Sequence, residues 1–264
     1  MLIDLHAHMH HFDEAETTEI ISHPDCPGII VNSVHTNEQL NHGLNLQTIE
    51  NFCAGNQKNR FLVSAGVHPQ IADYKNKECL DFLESIEDNI KNICAVGEVG
   101  YDLYDKNPSL GSQRYIFLKE IELAQKYNLP LIIHCRNAFE ILLEDLKQVD
   151  IPVIFHGYSG GFKYLDEIVK KGYYISFGTP LTYEQSNKLR RIAQVVPLNQ
   201  IFTETDSPFN LTRHSNFEME KNKPYYLRKI IEVLSEVKNI SQDDLFFALK
   251  QNGECISLIN NAIK

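Results

Sequence analysis

The sequence has no apolar run that approaches the roughly 20 residues needed to span a bilayer, so we expect no membrane segment. Its N-terminus lacks a basic region followed by a short apolar one, and therefore carries no sign of export. Six cysteines are scattered along the chain without a Cys-x-x-Cys pair. This usage predicts a cytoplasmic protein with reduced, structural thiols.

Basic residues are outnumbered, because 25 lysines and arginines stand against 35 aspartates and glutamates, for a net charge of −10. This balance argues against a broad basic surface for long duplex DNA. It still permits a local anion site, since bound cations can be the largest charges in a site.

A linker rich in Pro, Gly or Ser is also missing, and 43% of the residues are hydrophobic. We therefore expect one domain over residues 1–264, with a sizeable core.

Eight short apolar runs recur along the chain, separated by stretches with helical spacing. Continuous apolar runs fit strands that are buried on both faces, as in parallel sheets. Between runs, apolar residues such as Cys79, Phe82 and Ile86 share one face of a helix. This order and size predict a (β/α)8 TIM-type barrel, with a doubly wound open sheet as the alternative. The runs are 2–3, 28–31, 61–63, 93–96, 131–133, 153–155, 173–175 and 201–202.

Asp4, His6 and His8 alternate at the end of the first run. In a strand, alternate residues line one face, so the spacing predicts that these three side chains point the same way. Two imidazoles on one face can hold a cation, and a carboxylate beneath them can orient them. An isolated His-x-His pair is weak evidence by itself, because short motifs often match by chance.

Residues able to bind a metal also end four later runs. Glu98 follows the fourth run, His134 the fifth, His156 the sixth and Asp206 the eighth. On a barrel, the carboxyl ends of all the strands meet at the face where active sites lie. The sequence therefore predicts one centre for two divalent ions. Its expected ligands are His6, His8, Glu98, His134, His156 and Asp206.

This set of side chains suits hydrolytic chemistry. Imidazole and carboxylate suit Zn²⁺, Mn²⁺ and Fe²⁺, whereas Mg²⁺ prefers oxygen ligands and water. Because the site contains both kinds of donor, the sequence does not identify the metal, and Mg, Mn and Zn all remain candidates. Two ions about 3.5–4 Å apart can stabilise both the entering and the leaving oxygen of a phosphodiester displacement. The ions would also attract an anionic substrate to an otherwise acidic protein.

Six stretches of the chain resemble, in family order, the motifs of the TatD family of metal-dependent hydrolases, within the amidohydrolase-like barrel superfamily. The resemblance implies a single metal-dependent hydrolase barrel with deoxyribonuclease activity, expected as an exonuclease. The stretches are DLHAH at 4–8, GVHP at 66–69, GEVGYD at 97–102, IHCR at 133–136, HGYSG at 156–160 and ETDSP at 204–208.

The resemblance also implies the partition of the ligands. His6, His8 and Asp206 would hold one ion, and Glu98 would bridge it to a second. The histidines after the fifth and sixth runs, His134 and His156, would complete the second site.

Other roles follow from the same resemblance. Asp206 would take the proton of the attacking water, so Asp206 and Glu98 are the expected catalytic residues. His68 and Arg136 would contact the anionic group of the substrate. Asp102 would support the ligands, although a loop ion pair between Asp102 and Arg136 is an equal alternative.

The sequence departs from the family pattern at three positions. His10 stands where the family usually has an acid or amide, and Asn137 where it usually has Asp. Lys223 stands where the family commonly has Glu before Pro, which puts substrate contacts or loop anchoring at that edge in question. None of these changes removes a predicted ligand, and we expect His10 and His11 to be solvated loop residues.

Three functions are compatible with the sequence. The leading one is a metal-dependent phosphodiesterase that acts on single-stranded DNA ends or short nucleic acid. The second is an ester or amide hydrolase on the same site, such as a D-aminoacyl-tRNA deacylase. The third is a metal-dependent binding or scaffold protein, which the intact ligand set argues against. A polymerase-and-histidinol-phosphatase barrel also begins with His-x-His, but the later ligand order fits it less well. We expect neither a membrane nor an obligate protein partner.

Overall fold

The computed structural model describes residues 2–34, 61–104, 108–210 and 221–255, and for residues 32–34 it describes the backbone only. Within these ranges there are eight strands and eight α-helices. The strands are β1 (Ile3–Ala7), β2 (Gly28–Val34), β3 (Phe61–Gly66), β4 (Ala95–Asp102), β5 (Leu131–Arg136), β6 (Val153–Phe155), β7 (Tyr174–Phe177) and β8 (Ile201–Thr203). The helices are α1 (Glu14–Ser22), α2 (Lys77–Asp88), α3 (Leu110–Tyr127), α4 (Phe139–Asp145), α5 (Phe162–Lys170), α6 (Asn187–Val195), α7 (Leu227–Lys238) and α8 (Gln242–Cys255).

The eight strands form one parallel sheet in sequence order, and the sheet closes on itself. Closure uses residues just beyond β8, because Ala7 pairs with Ser207 in a parallel bridge. The His8 N–H donates to the Ser207 carbonyl at 2.7 Å, and the Asp206 N–H donates to the His6 carbonyl at 2.9 Å. The predicted (β/α)8 TIM-type barrel is confirmed. Its closing seam lies among the expected metal ligands of the first and last strands.

Alternate residues of the strands belong to two different apolar clusters, which explains the continuous apolar runs. Ile132 and Ile154 pack with Leu5 and Phe202, in a cluster that comes from strands and fills the barrel interior. Ile133, one residue along β5, belongs instead to the larger cluster shared with the helices. Burying such a side chain stabilises the fold by about 1.5–3 kcal/mol. Apolar side chains are therefore buried on both faces of the sheet.

The helix of the first crossover is better defined than the sequence suggested. From Met9 to Pro27 the sequence predicts only a loop and a poor helix, but α1 begins with a complete capping box. The Asp13 carboxylate accepts the Glu16 N–H at 2.8 Å, and the Glu16 carboxylate accepts the Asp13 N–H at 3.0 Å. Only Thr17 and Ile20 of this helix are buried, so its N-terminal cap, rather than a broad apolar face, defines it.

The expected alignment of Asp4 with His6 and His8 is wrong. The register of β1 against β2 shifts between Asp4 and Ala7, and such a bulge breaks the alternation of side chains. The Asp4 carboxylate accepts the Thr205 N–H at 2.9 Å, the Thr205 hydroxyl at 2.5 Å and the His6 backbone N–H at 3.3 Å. Asp4 therefore holds the closing seam of the barrel instead of orienting an imidazole.

Two further expectations concern helices and thiols. No helix in the described ranges combines the length and the apolar character that crossing a membrane requires. Five cysteines lie in those ranges, all as free thiols, and four of them are buried. The sequence also predicts a polar, irregular segment from Asn210 to Lys223, and most of it, residues 211–220, lies outside the described residues.

Candidate metal centre

The structure brings the six expected ligands together at the carboxyl end of the barrel. Glu98 occupies the centre of the group and projects from β4, which packs closely on β5. A Cβ atom added at the neighbouring Gly97 would lie 2.6 Å from the Cβ of Ile132, so this approach requires glycine. The other ligands come from β1 and β5 and from the residues that follow β1, β6 and β8.

One set of donor atoms lies around His6 and His8. The His6 Nε2 atom is 3.2 Å from His8 Nε2, 3.3 Å from Glu98 Oε2 and 3.5 Å from Asp206 Oδ1. His8 Nε2 is 3.2 Å from Asp206 Oδ1 and 3.8 Å from Glu98 Oε2. An ion bound tetrahedrally at about 2.0–2.1 Å requires donor atoms about 3.3 Å apart. These four atoms therefore fit around one divalent ion.

A second set lies around the other oxygen of the same carboxylate. Glu98 Oε1 is 2.8 Å from His134 Nδ1 and 2.9 Å from His156 Nε2, and these two nitrogens are 3.3 Å apart. His68 Nε2 also lies close, at 3.2 Å from Glu98 Oε1. The spacing suits a second ion with Glu98 as the bridge. It also places His68, expected to contact substrate, among the donor atoms of this set.

Two histidines of the second set, His134 and His156, have a carboxylate at the other ring nitrogen. His134 Nε2 lies 3.1 Å from Asp102 Oδ2, and His156 Nδ1 lies 3.4 Å from Glu204 Oε1. A carboxylate in this position fixes the tautomer of an imidazole and leaves the opposite nitrogen free to bind a metal. Asp102 thus lies where it could orient His134. The same oxygen is 3.6 Å from the Arg136 guanidinium, so the alternative ion pair is present too.

The charges around Glu98 stabilise its ionised form. Burial alone would raise its pKa, but the imidazoles of His156, His68 and His6 lower the pKa well below the usual range. Burial opposes protonation of His156, yet Glu98 and Glu204 raise its pKa well above the ordinary value. Burial and the neighbouring imidazole of His156 lower the pKa of His6. The group therefore contains a negative carboxylate surrounded by imidazoles, which is the charge pattern that a divalent cation complements.

Asp206 is positioned by its backbone as well as by its partners. Its φ of 55° is left-handed, and its N–H bonds the carbonyl of His6. Oδ1 faces His6 and His8, while Oδ2 accepts a hydrogen bond from the Asn210 amide at 2.6 Å. The carboxylate is thus held with one oxygen at the ion position and the other fixed by Asn210.

Comparison with known proteins decides the family. The family model described as TatD related DNase matches residues 3–256. The chain belongs to this family. YjjV of Escherichia coli K12, named an uncharacterized metal-dependent hydrolase, is 30% identical over 190 residues, or 71% of this chain and 73% of YjjV. YabD of Bacillus subtilis 168, which carries the same description, is 31% identical over 199 residues, or 74% and 76% of the two chains.

Solved structures agree with the assignment. The crystal structure of the TatD homolog YjjV superposes with a TM-score of 0.81 at 26% identity and covers 97% of both chains. A TatD-family hydrolase from Entamoeba histolytica gives a TM-score of 0.82 at 20% identity, again over 97% of both chains, and this likeness shows the fold. The expected family is confirmed, and with it membership of a group of metal-dependent hydrolases.

Two amide side chains of this TatD-family site, Asn222 and Gln113, were not predicted to belong to it. The Asn222 amide donates to the carbonyls of Thr205 at 2.6 Å and Phe209 at 2.8 Å, and so braces the turn that carries Asp206. The Gln113 amide bonds both the backbone N–H and the carbonyl of Asp102, each at 2.9 Å. Both are buried neutral amides, and no periodicity or charge pattern of the sequence distinguishes such residues from ordinary polar ones.

The departures from the family pattern have different consequences. Lys223 pairs with Glu19 of α1 at 2.5 Å, so this edge is anchored by an ion pair on the outside of the barrel. His11 is exposed, as expected. His10 differs from the expectation, because both of its ring nitrogens are buried. Burial, with the nearby His11 and His8, lowers the pKa of His10 to about 3.

Two exposed aromatic rings flank the centre. The Phe209 ring lies 5.2 Å from the rings of both His8 and His11, and 46% of Phe209 is exposed. Tyr104, which is 66% exposed, stacks on the Arg136 guanidinium with 4.4 Å from the guanidinium carbon to the ring centre. Planar apolar surface is therefore available on two sides of the metal ligands.

Proposed function

We propose that this TatD-family chain is a phosphodiesterase that removes nucleotides from the ends of single-stranded DNA, with two divalent ions as cofactors. The observation that carries the proposal is the orientation of Glu98. Its Oε2 atom is 3.3 Å from His6 Nε2, while its Oε1 atom is 2.9 Å from His156 Nε2. A carboxylate with one oxygen in each donor set suits a pair of ions about 3.5–4 Å apart, the spacing used for phosphodiester displacement.

The residues around the ions have separate tasks in this proposal. Bound ions, whether Zn²⁺, Mn²⁺ or Mg²⁺, would supply Lewis acidity and lower the pKa of water at the site. Asp206 would accept the proton of the attacking water. Burial alone would raise the pKa of Asp206, but its hydrogen bond with His8 lowers it, so the carboxylate is ionised and able to accept a proton at neutral pH. Asn210 would keep this carboxylate oriented.

Substrate contacts would lie on the exposed side of the centre. The Arg136 side chain is 45% exposed and can pair with a phosphate without losing its stacking on Tyr104. Tyr104 and Phe209 offer faces on which unpaired bases can stack, a contact worth about 1–3 kcal/mol per base. Bases of a duplex are already stacked and cannot use such rings. Together with the net charge of −10, these faces favour a short single strand over long duplex DNA.

Cleavage assays on defined strands test the proposal. The substrates are 5′- and 3′-labelled single strands, duplex DNA, RNA and aminoacyl-tRNA, each with Mg²⁺, Mn²⁺ or Zn²⁺. We expect the single strand to shorten progressively from one end, and we expect Glu98→Gln to abolish this. Failure to cleave any phosphodiester with any of the metals, together with deacylation of aminoacyl-tRNA, would replace the nuclease by an ester hydrolase on the same site.

A further inference from the structure

Three histidines form a separate group at the edge of the metal centre. His8 follows β1, and His10 and His11 lie in the 3₁₀ turn Met9–His11. One ring nitrogen of each lies within 4.8 Å of the others. The rings of His10 and His11 are 4.2 Å apart, and those of His8 and His10 are 5.6 Å apart. One short turn therefore brings three imidazoles together, with no carboxylate in the group.

His10 is the unusual member of this group. Both of its ring nitrogens are buried, and neither has a hydrogen-bond partner in the described part of the chain. A neutral imidazole has one donor and one acceptor nitrogen, and native proteins rarely bury either without a partner. The acceptor nitrogen of His10 therefore has no hydrogen-bond donor among the described residues, although two other imidazoles lie close to it.

We propose that His8, His10 and His11 form a further site for one transition-metal ion, distinct from the pair held around Glu98. Three imidazoles suit Zn²⁺, Co²⁺, Ni²⁺ or Cu²⁺ and leave a coordination position for water or a phosphate oxygen. Mg²⁺ is excluded, because it requires oxygen ligands. Mn²⁺ binds such nitrogen sites most weakly in the divalent series.

His8 belongs to both groups, and this determines the order in which the two sites bind metal. Its Nε2 atom already faces the centre, at 3.2 Å from both His6 Nε2 and Asp206 Oδ1. Ligation of the further ion has to use the other nitrogen of His8 or draw His8 away from that position. The further site therefore fills after the centre, at higher metal concentration. The test of this site counts bound ions, so its result does not depend on whether the protein is a nuclease.

Metal counting on matched variants tests the site. Wild type, His10→Ala, His11→Ala and the double variant are dialysed against Co²⁺ or Mn²⁺, and bound metal is measured by elemental analysis. The control is His23→Ala, which removes a histidine stacked on Tyr225, outside both groups. Because His11 is exposed, its substitution does not disturb the core.

The expected result is a difference of one ion, whatever number the centre itself holds. With Co²⁺, each variant should bind one ion fewer than wild type and lose part of the visible Co²⁺ absorption, while His23→Ala matches wild type. With Mn²⁺, all proteins should bind the same number. Equal Co²⁺ counts in wild type and the double variant would overturn the proposal, and so would an equal loss with Mn²⁺, which would mean that the variants damage the centre.

Discussion

The Thr205 hydroxyl donates to the Asp4 carboxylate over 2.5 Å and so joins the first strand to the residues that follow the last. Both residues are fully buried, and each is two positions or fewer from an expected ligand, His6 or Asp206. This contact therefore lies in the closing seam of the barrel, next to His6 and Asp206, and helps to set the distance between these two expected ligands.

Thr205→Val tests this link, because it keeps the shape of the side chain and removes the hydroxyl. We expect the free energy of unfolding to fall by about 1–3 kcal/mol, the cost of leaving a buried polar group without its hydrogen-bond partner. Metal affinity should fall as well. Thr18→Val is the control, since the Thr18 hydroxyl is exposed and donates to the Glu14 carbonyl within α1. Equal stability of the two variants would show that the seam does not depend on this contact.

Substitution of the bridging carboxylate should change the metal content. In Glu98→Gln, the amide cannot serve two cations, so we expect fewer bound ions by elemental analysis after gel filtration. Glu120→Gln is a matched control, because Glu120 is equally buried and accepts the Val67 N–H at 2.7 Å. Burial raises the pKa of Glu120 well above its usual range, so a neutral amide replaces it closely. Unchanged metal content in Glu98→Gln would contradict the bridging role.

Asp206→Asn separates proton transfer from metal binding. The variant keeps the shape and one oxygen but removes the basic one, so single-turnover cleavage of a labelled oligonucleotide should slow by roughly 10²-fold or more. Bound metal and oligonucleotide affinity should change much less, because His6, His8 and Glu98 remain. Turnover near the wild-type rate would mean that another group takes the proton.

His68→Ala distinguishes a ligand from a substrate contact. The second donor set keeps Glu98, His134 and His156 in this variant, so we expect both ions to remain and cleavage to be lost. His68 Nε2 lies 3.2 Å from Glu98 Oε1, so its position is also compatible with a metal ligand. If the variant binds one ion fewer than wild type, His68 is a ligand of the second ion.

Metal affinity should increase with pH. Burial opposes it, but Asp102 and Glu98 raise the pKa of His134, and Glu98 raises that of His156 well above 6.5. In the metal-free protein both rings are protonated below these raised values, and each must lose its proton to bind an ion. Affinity for Zn²⁺ should therefore rise by up to about tenfold per pH unit for each proton released, and should level off only above the raised pKa values of the two rings. Titration calorimetry in two buffers measures the protons released at pH 7, and a value of zero would contradict this account.

Local features of the sequence determine much of the architecture. The apolar runs identify the strands because both faces of each strand are buried, as Ile132 and Ile133 show by packing on opposite sides of the sheet. The ligand types at the ends of these runs identify the site, because a closed parallel barrel brings those ends to one face. Family order and residue identity add the assignment to the TatD family.

Tertiary structure decides the partners of the side chains. A bulge in β1 sends Asp4 to Thr205, 201 residues along the chain, although strict alternation would place it beneath His6. Glu204 reaches His156 and His68 approaches Glu98 only because β3, β4, β6 and β8 surround one space. Such contacts depend on strand register and barrel closure, which are properties of the whole sheet, whereas alternation and residue type are properties of a few neighbouring positions.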